Sequence, residues 1–196
     1  MPDCTDTAGK NLRAVVARQQ PNGWFPHCCL TDEQRPLLHT IAYTIQGLLE
    51  GGHVLGDEAL IRAAERAAAP LGAAVNAAGR LPGRFTADWR PAVEWSCLTG
   101  EAQMVNVWLR LAEITGDRHW LEPVGPVLRF LKATQNRNSR NPGLRGGIKG
   151  SYPLTGDYGR YELLSWATKF FIDALLRDHR RTVGVRTQDT DPLLLA

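Results

Sequence analysis

The residues best suited to chemistry lie in one long loop in the middle of the chain, where two carboxylates stand next to two tryptophans. The loop contains Asp88-Trp89 and Glu94-Trp95, with Pro91 between the two pairs. Carboxylates can transfer protons as general acids and bases, and an indole ring offers a flat apolar face on which a sugar can stack. The loop therefore predicts a carbohydrate site in which Asp88 and Glu94 are the catalytic acid and base.

Two further segments carry polar and aromatic side chains of the same kinds, one near the N-terminus and one before the last predicted helix. Loops that precede equivalent helices of a repeat converge on one end of the array, so we expect these side chains to meet. The residues predicted to contact the substrate are Trp89, Trp95, His27, His39, Lys149, Tyr152, Asp157 and Tyr158.

Cysteine and histidine residues in the same segments allow a second hypothesis, a metal site. Cys29 precedes one predicted helix, Cys97 precedes the equivalent helix of the next repeat, and His27 and His39 lie near the first of them. Thiolates and imidazoles are the usual ligands of zinc, but the chain has no Cys-x-x-Cys pair. We therefore predict no cofactor and keep zinc on these four residues as the alternative.

A repeated Gly-aromatic turn organises the elements that must position these residues. The three copies are Gly23-Trp24-Phe25, Gly83-Arg84-Phe85 and Gly150-Ser151-Tyr152, and each lies between two helical patterns. The second helix of each repeat carries an apolar stripe at helical spacing, and the middle one is apolar on nearly all faces. Three such repeats predict an all-α fold, a partial α/α toroid with about six main helices.

The first helix of each repeat is more plainly amphipathic and should form the outer layer. These outer helices are predicted over about 8–19, 58–78 and 118–134. Pro70 and Pro126 fall inside them and should kink or divide them, because proline lacks the backbone N–H that a helix interior needs. No segment alternates with period two for long enough to predict a strand.

Polar residues at the predicted helix starts are candidates for N-caps. Asp57 and Asp117 each follow a glycine and precede an outer helix, which is a common N-cap arrangement. Thr31, Thr99 and Thr155 occupy the corresponding positions before the inner helices. We predict that all five side chains cap the helices that follow them.

Length and composition favour one compact domain. The chain has 196 residues, of which 43% are hydrophobic and 22% charged, and its formal net charge is only +3. We predict a single domain over residues 1–181 and a flexible tail over 182–196. The scattered basic residues do not indicate nucleic acid, and no apolar run is long enough to span a membrane. With four cysteines and no apparent signal peptide, the predicted location is the cytoplasm.

Several strings of the sequence resemble a bacterial family of α/α-toroid proteins that are often encoded among polysaccharide genes. The strings are Gln20–Phe25, Leu37–Tyr43, Trp95–Gln103, Gly146–Pro153 and Trp166–Phe171. The resemblance covers about residues 18 to 176 and is to the C-terminal half of longer members. Some members are labelled delta-aminolevulinic acid dehydratase. That enzyme is a (β/α) barrel, and the helical repeats of this chain do not predict alternating strands and helices. More distantly, the chain is similar to six-hairpin glycosidases, sugar 2-epimerases and prenyltransferase toroids.

The resemblance implies a protein that acts on or binds a bacterial polysaccharide or a uronic-acid sugar, in polysaccharide biosynthesis. If the protein is an enzyme, hydrolysis, elimination and epimerisation are the expected reactions. Two alternatives stay open at this point. One is a non-catalytic half-toroid that binds a glycan or a partner protein, and the other is an isoprenoid or zinc-dependent toroid enzyme.

Three repeats also predict an association. A ring of this kind closes with about ten to fourteen helices, so six helices leave an open crescent with apolar edges. Large exposed apolar surfaces are usually covered. We therefore expect a homodimer, or association with a missing half of the toroid.

Overall fold

The computed structural model describes residues 4–184, which form six α-helices and one short two-stranded ribbon. The helices are α1 (Cys4–Val16), α2 (Leu38–Leu55), α3 (Glu58–Ala73), α4 (Leu98–Thr115), α5 (Val124–Thr134) and α6 (Ser165–Thr182). A 3-10 turn over Arg118–Leu121 precedes α5, and the antiparallel strands are β1 (Ser96–Cys97) and β2 (Ser151–Tyr152). The predicted all-α fold is confirmed. No helix within residues 4–184 is long and apolar enough to cross a membrane.

The helices form two layers. In the inner layer, α4 lies between α2 and α6 and packs against both of them. In the outer layer, α3 packs on α2, α5 packs on α4, and α1 contacts α2 and α3. Each of the outer helices α3 and α5 therefore packs on the inner helix that precedes it in the chain, which is how successive hairpins build an α/α array.

Helix α4 is the centre of the core, as its apolar pattern predicts. Every residue from Leu98 to Leu109 is buried, and the Trp108 side chain has no exposed surface. The start of α4 also touches the start of α2, because a Cβ atom added at Gly100 would lie 2.7 Å from the backbone nitrogen of His39. A glycine at this position lets the two helices approach closely and fixes where His39 lies.

The predicted caps of the outer layer are confirmed. Asp57 Oδ1 accepts a hydrogen bond from the Ala59 N–H (3.1 Å) at the start of α3. Asp117 Oδ1 accepts from the His119 N–H (3.0 Å), although the element that it caps is the 3-10 turn rather than an α-helix. Both carboxylates satisfy backbone donors that the first turn of a helix leaves unpaired.

The predicted threonine caps of the inner helices are wrong. Thr31 lies several residues before α2, and Thr155 lies well before α6. Thr99 is already inside α4. None of these three helices has a side-chain cap. Their first N–H groups are bonded instead by backbone carbonyls of other segments, such as Leu38 N–H to Gly83 O (2.9 Å). The turn of the next repeat supplies the acceptor, so no capping side chain is needed.

The prolines do not divide the outer helices. Helix α3 continues through Pro70 and ends at Ala73, short of the predicted residue 78. Pro126 is the third residue of α5, where the helix needs no backbone N–H, so it fits the first turn. The region predicted as one helix over 118–134 is split into the 3-10 turn and α5.

Two further predictions concern the strands and the tail. The prediction of no strand is wrong, because β1 and β2 pair; two residues are too few to show alternation in a sequence. The tail predicted from residue 182 begins at the last residue of α6, and residues 185–196 lie outside the described part of the chain. The domain boundaries stay a prediction.

Candidate functional site

The loops of the three repeats meet at the N-terminal ends of α2, α4 and α6 and form one mouth. Arg84, from the second loop, donates hydrogen bonds to the Arg35 carbonyl of the first loop (2.8 Å) and to Asp157 Oδ2 of the third (3.3 Å). The Arg84 side chain is only 11% exposed, whereas the Asp157 side chain is 71% exposed. Asp157 is thus an exposed carboxylate tied to a buried cation, and it helps to join the loops.

The two predicted catalytic carboxylates are exposed. Asp88 forms an ion pair with Arg90 (Nε to Oδ2, 2.7 Å) and accepts a hydrogen bond from the Thr86 hydroxyl. The bond from Thr86, supported by Arg90, lowers the pKa of Asp88 below its ordinary value. Asp88 is therefore ionised at neutral pH and poorly suited to donate a proton. Glu94 is exposed, and its backbone carbonyl accepts a bond from Arg80 (3.0 Å).

The two tryptophans of that loop pack on the protein itself. Trp89 Nε1–H donates to the Asn22 carbonyl (2.9 Å), and the Trp89 ring lies edge-on to Trp24, with 5.0 Å between ring centroids. Trp95 covers Gly83 so closely that an added Cβ atom would lie 2.3 Å from the indole ring. Both rings therefore hold loops together, a structural role that leaves only part of each surface open.

Three other predicted contact residues each have a neighbour of their own. Tyr152 is 38% exposed and stacks beside the Arg80 guanidinium, with 5.2 Å from the guanidinium carbon to the ring centroid. His27 is exposed and lies 3.3 Å from Glu33 (Nδ1 to Oε1). Lys149 is half-buried beside the mouth and its backbone forms a bridge with Leu163.

His39 is the predicted residue whose surroundings best fit a reactive group. It is only 8% exposed, and its Nδ1 lies 2.6 Å from Gln103 Oε1 on α4. An amide oxygen only accepts, so Nδ1 carries the proton and the neutral ring keeps a lone pair on Nε2. Burial lowers the pKa of His39, and the bond to Gln103 opposes this only in part. The imidazole is therefore uncharged at neutral pH and can act as a base.

Aromatic rings form a wall around His39. The ring centroids of Tyr43, Tyr158 and Phe170 lie 4.7, 5.4 and 6.3 Å from that of His39. The Tyr158 hydroxyl accepts a hydrogen bond from Trp166 Nε1–H (2.8 Å), and burial raises the pKa of Tyr158, so the phenol stays protonated. Tyr43 and Trp166 are 49% and 45% exposed, which leaves one side of the wall open.

Helix α4 adds two buried amides on the same side as the wall. Gln103 and Asn106 are three residues apart, so they share one face of the helix. Asn106 Nδ2 donates to the Phe170 carbonyl (2.9 Å), while Asn106 Oδ1 and Gln103 Nε2 are buried and make no hydrogen bond within residues 4–184. Buried polar atoms without a partner are uncommon and need an explanation. Both atoms are closed to solvent in this structure.

The four residues of the alternative zinc site do not come together as a group of three or more ligands. The part of the chain that the structure describes contains no group of three or more His, Cys, Asp or Glu residues that could hold a metal ion. This applies to the proposed set of Cys29, Cys97, His27 and His39. Burial also raises the pKa of Cys97 to about 12, which disfavours the thiolate that a zinc ligand needs. The residues present do not fit zinc.

Replacing Cys97 with serine should therefore cost stability in a way that is independent of metal. Cys97 is fully buried before α4, and burying a serine hydroxyl in place of the thiol should cost about 1 to 3 kcal/mol, although backbone N–H groups such as that of Gly100 lie within reach of it. Urea unfolding with and without a chelator measures this, and Cys4→Ser, at an exposed position, is the matched control with a change close to zero. Stoichiometric zinc that is lost in the Cys97→Ser protein would contradict the prediction.

The sequence did not single out five residues of this cluster: Tyr43, Gln103, Asn106, Trp166 and Phe170. A usable signal was present for two of them, since Gln103 and Asn106 are uncharged polar residues in the most apolar stretch of α4, Ala102–Leu109. Burying a polar side chain costs free energy unless it forms hydrogen bonds, so polar residues in such positions indicate a specific role. We name the set formed by His39, these five residues and Tyr158 the His39 cluster.

Comparison with known proteins identifies the architecture. No family model matches the chain, and no curated protein matches it. Among solved structures, cellobiose 2-epimerase from Spirochaeta thermophila aligns with a TM-score of 0.66 and 17% identity over 91% of this chain and 49% of that one. Unsaturated glucuronyl hydrolase from Bacillus sp. GL1 aligns with a TM-score of 0.67 and 19% identity over 89% of this chain and 51% of that one. Both are α/α toroids. The present chain has the α/α-toroid fold and spans about half the length of these structural neighbours.

Proposed function

We propose that the protein binds a sugar at the His39 cluster and that His39 acts on it as a general base. The observation that carries the proposal is the buried, neutral imidazole held by Gln103 inside a wall of aromatic rings. The wall offers apolar ring faces on which a sugar can stack, and Tyr43 and Trp166 are the members open to solvent. The names of the two structural neighbours, a sugar epimerase and a glucuronyl hydrolase, support a carbohydrate as the ligand.

The electrostatics of the mouth favour proton abstraction over hydrolysis by two carboxylates. Hydrolysis of the usual kind needs one protonated and one ionised carboxyl group. Asp88, with its lowered pKa, fits only the ionised member, and the His39 cluster contains no carboxyl group at all. His39 Nε2 can instead accept a proton from a carbon beside a carbonyl or carboxylate group. Tyr158, whose phenol stays protonated, could donate to the oxygen on which negative charge then develops. Epimerisation or elimination is therefore the proposed reaction class.

A cation beside the wall suits an acidic sugar. Lys169 Nζ lies 4.6 Å from the centroid of the Phe170 ring and 3.0 Å from Asp173 Oδ2. The Lys169 side chain is 43% exposed, so its ammonium group could bind the carboxylate of a uronic acid in place of the Asp173 carboxylate. We propose a uronic-acid sugar of a bacterial polysaccharide as the substrate, and a role in polysaccharide biosynthesis in the cytoplasm.

The second candidate is a glycan-binding half-toroid without catalysis. The observation that favours it is the length of the chain, which spans about half of the structural neighbours. The wall of α2, α4 and α6 is therefore incomplete unless the missing half of a ring, from a second copy or another segment, closes it. Asp88 and Glu94 as acid and base remain the alternative assignment for a catalytic site.

Calorimetric titration with an unsaturated glucuronyl disaccharide and with cellobiose tests the location of the site. We expect Trp166→Ala to weaken binding at least about tenfold, because aromatic stacking on a ligand ring contributes roughly 1 to 3 kcal/mol. The Asp88→Asn/Glu94→Gln double variant should bind like the unaltered protein and keep its stability within roughly half a kcal/mol. The opposite pattern would place the site at the long loop and refute the His39 cluster.

A further inference from the structure

The loop between α5 and β2 gathers positive charge that the rest of the chain spreads out. No aspartate or glutamate occurs from residue 123 to residue 156. Five cations lie in this loop or in the last turn of α5 before it. Four of them are exposed and the fifth is half-buried. They are Lys132, Arg137, Arg140, Arg145 and Lys149, which we name the basic face.

Backbone hydrogen bonds fold this loop into a compact unit. The Gly146 N–H donates to the Asn136 carbonyl (2.6 Å), and the Arg145 N–H donates to the Asn141 carbonyl (3.1 Å). Arg137 and Arg145 are the next residues on either side of the first contact, so their backbones lie close together. A loop of this length whose ends meet is compact, and such loops are frequently functional. The cations of the loop therefore share one small surface.

The five side chains of the basic face have no partner among the described residues. None of them forms an ion pair or a side-chain hydrogen bond within residues 4–184. Other cations of the mouth loops are paired, as Arg84 is with Asp157 (3.3 Å) and Arg90 with Asp88 (2.7 Å). Like charges repel, so a cluster of cations without acids does not stabilise the fold. The basic face is therefore suited to a ligand that carries negative charge.

The same loop is bonded to the start of α6, where the His39 cluster includes Trp166. The Ile148 N–H donates to the Thr168 hydroxyl oxygen (3.1 Å). Lys149, the next residue, pairs with Leu163 in an antiparallel bridge just before α6. One end of the basic face therefore lies beside the helix that contributes Trp166 to the proposed sugar site.

We propose that the basic face binds consecutive uronic-acid units of an acidic polysaccharide whose reacting unit lies at the His39 cluster. A guanidinium group can donate two parallel hydrogen bonds to one carboxylate. A polymer with a carboxylate on each unit therefore matches a set of neighbouring cations. The inference rests on the proposed function for the kind of sugar, and it adds that the substrate is a chain rather than a free sugar.

The side chains of the loop favour an acidic glycan over a nucleic acid. Single-stranded nucleic acids are held largely by bases that stack on aromatic rings, and residues 135–150 contain no aromatic residue. Tyr152, the next ring along the chain, already lies beside the Arg80 guanidinium (5.2 Å to the ring centroid) and beside Phe130. The loop offers instead the exposed amide of Asn138, which can bond sugar hydroxyl groups.

Calorimetric titration with an oligogalacturonate measures binding to the basic face. We expect Arg137→Gln/Arg140→Gln/Arg145→Gln to weaken this binding at least about tenfold at low salt, because three charge-assisted contacts are lost. The affinity of the variant should also depend less steeply on salt concentration, since fewer counterions are released on binding. Neutral cello-oligosaccharides should not distinguish the variant from the unaltered protein. Circular dichroism verifies that the variant folds.

Lys10→Gln/Arg18→Gln/Arg118→Gln is the matched control, because it removes the same charge at three exposed residues elsewhere in the chain. It should change the affinity for the oligogalacturonate less than about twofold. An equal loss in the control would overturn the inference, as would an unaltered protein that does not bind the oligogalacturonate. Tighter binding of a single-stranded DNA of equal charge through the three arginines would assign the face to nucleic acid and overturn it as well.

The unsaturated glucuronyl disaccharide tests the His39 cluster separately. The three arginine changes should leave its affinity unchanged, whereas Trp166→Ala should weaken it. Oligogalacturonate binding that depends on the arginines, without any binding of the disaccharide, would support the basic face and refute the proposed function. Disaccharide binding at the cluster, with no contribution of the arginines to binding of the oligogalacturonate, would refute the basic face and leave the proposed function standing.

Discussion

Replacing His39 with alanine is expected to reduce kcat by at least about a hundredfold on a sugar that the unaltered protein turns over, because general-base catalysis commonly contributes a factor of about 10² to 10⁴. His39 is nearly buried, so the loss of packing should also cost about 1 to 2 kcal/mol of unfolding free energy. Urea unfolding at the temperature of the kinetic assay distinguishes the loss of kcat from the loss of stability, because it shows whether the variant is folded during the assay.

The pH profile distinguishes a base from a supporting residue. Burial lowers the pKa of His39 below 6.5, so kcat/KM should fall only when the pH drops below that value and the imidazole becomes protonated. Gln103→Met is the matched variant: it removes the acceptor for Nδ1–H and should move the acid limb to lower pH, because the bond to Gln103 raises the pKa of His39. Full turnover by His39→Ala would show that another residue is the base.

The fold could be predicted from the sequence because repetition is a property of sequence. Three Gly-aromatic turns between helical patterns were enough to give an α/α array, and the structure has one. The caps of the inner helices could not be predicted in the same way. Leu38 N–H bonds to Gly83 O, a contact between residues far apart in the chain that involves no side chain. A hydrogen bond between two backbone groups does not depend on the residue type, so the sequence does not reveal it.

The candidate site could be predicted only in part, because residue types do not show which side chains are exposed and which are buried. The carboxylate and tryptophan of Asp88-Trp89 form a plausible chemical pair, yet the acid is exposed and the indole serves as a loop contact. His39 was one candidate among many until its contact with Gln103 on another helix was known. The sequence separation of these two residues hides a pair that the close approach of α2 and α4 at Gly100 brings together.

Glu101 is a buried carboxyl group that should make the protein less stable as the pH rises. It lies four residues into α4 with no exposed surface, and its Oε1 accepts a hydrogen bond from the Leu81 N–H (2.8 Å). Burial raises the pKa of Glu101 to about 8 from 4.5, although Leu81, Ser96 and Arg80 oppose the rise. The folded protein therefore keeps this proton over a pH range in which the unfolded chain has lost it.

The sign of the pH dependence follows from that proton. Between about pH 4.5 and pH 8 the folded state binds more protons at Glu101 than the unfolded state, so the unfolding free energy falls as pH rises. Below this range the carboxyl is protonated in both states, and above it the carboxyl is ionised in both, so the slope disappears at each end. One pKa unit corresponds to about 1.4 kcal/mol, so the total loss should be about 3 to 5 kcal/mol.

Glu101→Gln removes the titration and keeps an oxygen that can accept from the Leu81 N–H. We expect the variant to match the unaltered protein near pH 4.5 and to be more stable by about 3 to 5 kcal/mol at pH 9, measured by urea unfolding across that range. Glu58→Gln, at an exposed side chain (81%), is the control and should leave the slope unchanged.

A Glu101→Gln protein with the same pH slope as the parent would show that Glu101 is ionised in the folded state. Its charge would then have to be held by Arg80, the cation that already opposes the rise in its pKa, and the junction of the second loop with α4 would depend on an ion pair rather than on a neutral acid.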